Sequence, residues 1–124
     1  MGSLLRNPEA EAFFAPLSAH GDVASAFGAA LRTLGQYVVH AAAREYGAQF
    51  AVTADVVFAG AAGMASTYWR LSKADRAVAL ATGAAEAAAL GPEWVEITLF
   101  RDRWPDPDLR HWALCAYRYA RTSR

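Results

Sequence analysis

The chain has 124 residues, with 12 basic and 12 acidic side chains, and 55% of it is hydrophobic. That is enough apolar material for one buried core and too little length for two, so a single domain over 1–124 is expected. Charge balance argues against a protein that coats nucleic acid, and a lone cysteine excludes a disulfide framework or a multi-cysteine zinc site.

Thirty alanines favour helix, since alanine loses no side-chain entropy on entering one. The run from Val56 to Ala65 falls short of the roughly 18 apolar residues a membrane span needs. No apolar segment long enough for a secretory signal follows Arg6. A cytoplasmic setting without a membrane partner is therefore expected.

In chain order, Asn7-Pro8-Glu9 supplies a cap, a preset φ and an acid, and opens a short helix through about Leu17. His20-Gly21 breaks it. From Val23, apolar residues recur at helical spacing through Phe27, Leu31, Leu34 and Val38, opposite a column of Arg32, Gln36, His40 and Arg44. This predicts a long amphipathic helix ending at Gly47.

The segment Gln49 to Leu71 is ambiguous. Phe50, Val52, Ala54, Val56 and Phe58 alternate as in a strand. Gly60-Ala61-Ala62-Gly63 is poor strand material, however, and suits close helix packing. Helix is the favoured reading, with a short strand at Gln49 to Val52 left open ahead of it. Ser72-Lys73-Ala74-Asp75 resembles a capping box and opens an alanine-rich helix to about Ala89, stopped by Leu90-Gly91-Pro92.

The last third decides the fold class. Trp94 to Phe100 is rich in strand formers, yet a strand there has no evident partner. Asp106-Pro107-Asp108 is a strong helix start, followed by a stripe of Leu109, Trp112, Ala116 and Tyr119. Consistency then favours helix both for 92–104 and from Asp106 to Arg121. The expected fold is mostly α, a single-domain bundle of about five or six helices. The alternative is α+β, with N-terminal helices and a β-hairpin over 93–120.

Functional signals are sparse. His20, His40 and His111 lack metal-ligand spacing, and neither a metal nor a cofactor is expected. A helix-turn-helix over Ala77 to Arg103 would offer Glu93 and Glu96 to phosphates, so nucleic acid is not an expected partner. Those two glutamates would share a helix face, where each raises the other's pKa. His111 and Cys115, four apart on a helix, are candidate catalytic residues in which an imidazole lowers a thiol pKa.

Residues 1–100 hold six basic and nine acidic residues, a balance of −3; residues 101–124 hold six arginines and three aspartates, a balance of +3. Aromatic rings interleave with those arginines, a mixture that suits protein hot spots. Trp94, Trp104, Arg110, Trp112 and Tyr119 are the expected interface or ligand-binding residues. The resulting expectation is a non-catalytic interaction or regulatory module that homo-oligomerises through this C-terminal face, with a further protein partner open. The alternative is a small-molecule-binding protein or small enzyme with its site near Arg110, His111 and Cys115.

Overall fold

Gln49 to Arg70 holds the centre of the fold, and it is strand throughout its three segments. The computed structural model describes residues 5–35, 38–42, 44–100 and 107–122. Two helices come first, α1 (Pro8–Phe14) and α2 (Gly21–Leu31), the second running into a 3-10 turn at Arg32–Leu34. Strands β1 (Val39–Ala42), β2 (Gln49–Thr53), β3 (Val56–Ala62) and β4 (Ser66–Arg70) follow. Then come α3 (Lys73–Ala81), β5 (Ala85–Glu86), β6 (Trp94–Thr98) and α4 (Leu109–Thr122).

The six strands form one antiparallel sheet in the order β1-β2-β3-β4-β6-β5. The fold is thus α+β and not the helical bundle expected from the alanine content. Nor is 93–120 a hairpin: β6 pairs with β4 and β5, while 109–122 is helix.

Each departure has a local cause. The long helix over 23–47 stops because Gly35, at φ 90°, turns the chain, and Val39 enters the sheet against Val52. Arg32, His40 and Arg44 of the expected column therefore share no helix face, and Gln36 lies outside the described residues. His40 instead lies on β1 beside Gln49, and Arg44 donates to the carbonyls of Ala15 (2.7 Å) and Pro16 (3.3 Å). Gly60 is glycine for packing, since a Cβ there would lie 2.1 Å from Phe14 Cζ. Gly63 is glycine for its turn, at φ 69°. The helix after Ser72 has the expected cap, with the Ser72 hydroxyl accepting the Asp75 N–H at 3.2 Å, but it ends at Ala81 before Gly83 at φ 111°. At 92–104 the β propensity of Trp94 to Thr98 prevails, because β4 supplies the missing partner.

Both faces of the sheet are covered. On one side α2 and α4 bring Val23, Phe27, Trp112, Ala113, Ala116 and Ala120 against Phe58, Trp69, Val95 and Ile97. The small side chains of α4 let its backbone approach the strands closely. On the other side α1 seats Phe14 among Phe50, Tyr68 and Trp94. The buried Thr67 hydroxyl donates to the Ile97 carbonyl and accepts the Trp69 indole N–H, both at 2.9 Å, so these two buried side chains have their polar atoms satisfied.

Candidate functional site

A helix lying on a sheet leaves one stripe to solvent, and on α4 that stripe is basic. Arg110, His111, Leu114, Arg118, Arg121 and Thr122 are the exposed residues between 109 and 122. At 3.6 residues per turn they fall within roughly 120° of the helix circumference. Leu114 sits in the middle and is 39% exposed. No acidic residue occurs in the sequence after Asp108, so α4 carries arginines and no carboxylate of its own. Arg110 reaches back to Asp108 (3.4 Å), and Arg121 donates to the Thr53 hydroxyl (3.1 Å) while lying over the Tyr117 ring. Arginine at the C-terminal end also complements the helix dipole.

Beside this stripe, Tyr119 ties the helix to the sheet end. Its hydroxyl donates to Glu93 (2.6 Å), which also accepts from Arg70 (2.9 Å), and the Arg70 guanidinium stacks over the Tyr119 ring at 4.6 Å. The hydrogen bond to Glu93, followed by burial, pushes the Tyr119 phenol above its usual pKa. Glu93 and Glu96 are separated rather than paired: they lie on the approach to β6 and on β6 itself, and Glu96 accepts from the Ser66 hydroxyl at 2.6 Å. Burial first, and the Glu96 carboxylate second, raise the Tyr68 phenol.

The expected site residues are not gathered on one surface. Trp94 is 3% exposed and belongs to the core under α1; Trp112 is 8% exposed and belongs to the core under α2 and α4. These two rings face opposite sides of the sheet. Trp104 lies outside the described residues. Arg110 is exposed on the stripe, and Tyr119 is held in the Glu93 network.

His111 and Cys115 do meet, with Nε2 and Sγ 3.7 Å apart. Burial, and then the Asp75 carboxylate on α3, raise the thiol pKa, with Arg118 opposing. An acid beside the sulfur disfavours the thiolate, opposite to the arrangement that activates a nucleophile. Leu114 escaped the sequence reading, although the spacing Arg110, Leu114, Arg118 in an acid-free segment was a usable signal.

Among the described residues no group of three or more His, Cys, Asp or Glu side chains is placed to hold a metal ion, and no helix is long and apolar enough to cross a membrane. Comparison with protein-family models, with curated proteins and with solved structures finds no match to the chain.

Proposed function

We propose that the chain is a small cytoplasmic, non-catalytic interaction module that docks an acidic protein surface through the exposed face of α4. The observation supporting this reading is the exposed row of Arg110, His111, Arg118 and Arg121 beside Leu114, on a helix whose sequence carries no acid after Asp108. Arginine is enriched at protein hot spots, and exposed guanidinium groups steer and orient a partner of opposite charge. The buried tryptophans supply no contact area for homo-oligomerisation. Pairing α4 with its own copy would set guanidinium against guanidinium, so the partner is a surface of opposite charge.

The test uses a fluorescein-labelled polyglutamate peptide as the probe, followed by anisotropy. Binding is expected at low ionic strength and is lost at about 0.5 M salt, where screening shortens the range of exposed charges to a few ångströms. In an Arg110→Glu/Arg118→Glu variant the affinity falls by about tenfold or more. Undiminished binding by that variant overturns the reading, as does no binding by the unmodified chain at low salt.

A further inference from the structure

The strand at the open end of the sheet borders a groove, and the two together have the parts of a strand-docking site. Among the described residues β1 pairs with β2 alone, and its outer edge pairs with no strand. Natural sheet edges are blunted by charged residues, proline, bulges or shortness. Edge β5 at the opposite end is two residues long. By contrast β1 is Val-His-Ala-Ala, with no charge and no proline, and Val39 is 63% exposed. Successive side chains alternate across the sheet: Val38 packs with the core under α2, and Ala41 with the core under α1.

On the α2 side, a groove of about 430 Å³ runs between α2 and this edge. Its apolar lining includes Ala24, Leu31 and Val38, and the His40 ring lies over Gly28, its Cε1 3.5 Å from where a Cβ would be. Its polar groups are Ser25, Arg32 and the hydrogen-bonded pair of His40 and Gln49. Among the described residues no carboxylate lines it.

We propose that this edge and groove bind an extended segment of a partner protein, which adds a strand to β1. The partner's backbone hydrogen-bonds to the outer edge of β1. One of its apolar side chains packs in the groove against Leu31 and Val38, and an acidic side chain meets Arg32. Strand addition of this kind draws affinity from the main chain and specificity from pockets for alternate side chains. Charge selects the occupant: a second copy would present its own β1, which has no acid to offer Arg32. This surface is distinct from the α4 stripe and does not depend on it.

The probe is a labelled synthetic peptide, Ser-Glu-Val-Thr-Val-Glu-Ser, compared with the same peptide N-methylated at alternate residues so that it cannot pair along an edge. The expected result is binding of the first peptide only. Amide shifts and slowed exchange are centred on Val39–Ala42 and α2, and the affinity of Arg32→Glu is lower by about tenfold or more. Arg32 is exposed, so its replacement leaves the core intact. Equal binding of both peptides, shifts confined to α4, or no binding at millimolar peptide each overturns the proposal. So does light scattering that shows a dimer with β1 amides already protected in the absence of peptide.

Discussion

Ala54 and Asp55 carry the tightest turn of the sheet, and both hold a backbone that neither residue favours. They link Thr53 to its partner Val56 and have φ of 51° and 63°. Two positive φ values in a two-residue loop make the turn whose twist matches the strands, and Asn-Gly is its usual occupant. A non-glycine residue in the left-handed region costs roughly 1–2 kcal/mol, and less for Asn or Asp. This also explains why the hairpin is hard to see in the sequence: Thr-Ala-Asp reads more readily as a helix cap. Replacing the pair with Asn-Gly (Ala54→Asn, Asp55→Gly) is expected to raise stability by about 1–2 kcal/mol. The Asp55 backbone carbonyl accepts the Arg6 N–H at 2.7 Å, and that bond survives the change. Urea unfolding checks this: the midpoint rises at constant slope. An unchanged or lower midpoint would mean that the turn is not strained in this way.

Among the elements, α1 is the one least able to stand alone. Seven residues are too few for a helix stable in water, so its stability is tertiary. Asn7 marks the start of α1, as its sequence suggests, but makes no side-chain cap. Its amide instead mimics a neighbouring strand, donating to the Val57 carbonyl and accepting the Val57 N–H, both at 2.8 Å. Asn7→Asp keeps the acceptor but sets a carboxylate against the Val57 carbonyl. It is expected to cost about 1–3 kcal/mol at neutral pH. Protonation restores a donor, which raises the new carboxyl's pKa in the folded state, so the deficit shrinks as pH falls through that raised value. Melting temperatures of both forms at pH 4 and pH 7 check the sign, and a deficit that does not depend on pH excludes the contact as its cause. The other elements differ in how far the sequence reveals them. The C-terminal helix is legible because Pro107-Asp108 starts it and one apolar stripe runs along it. By contrast β3 is buried along its whole length, so it shows no alternation and resembles a helix interior.

At the scale of the whole molecule, the sheet order is the feature that the sequence conceals. The partner of β6 is β4, with α3 and β5 between them in the chain, and no local signal reports a pairing across that distance. The basic stripe of α4 was partly legible from the arginine count, but the core positions of Trp94 and Trp112 follow from which sheet face each meets. This packing leaves three titrating groups in separate places, each with its pKa raised: Tyr68 on the α1 face, Tyr119 against the sheet end, and Cys115 between α4 and α3. In the unfolded chain they release protons near their ordinary values, about 8.5 for a thiol and about 10 for a phenol. In the folded chain they hold them longer, so the stabilisation is complete below those values and is lost as pH rises through the raised ones. The melting temperature is therefore expected to be level from about pH 7 to 8 and to fall progressively above about pH 9. Tyr119→Phe lowers stability at neutral pH, because the Glu93 hydrogen bond is gone, yet it removes one of the protons the unfolded state sheds first. Its alkaline decline is consequently shallower than that of the unmodified chain, and the two curves converge as pH rises. Parallel curves would show that Tyr119 is not among the groups that set the alkaline limit.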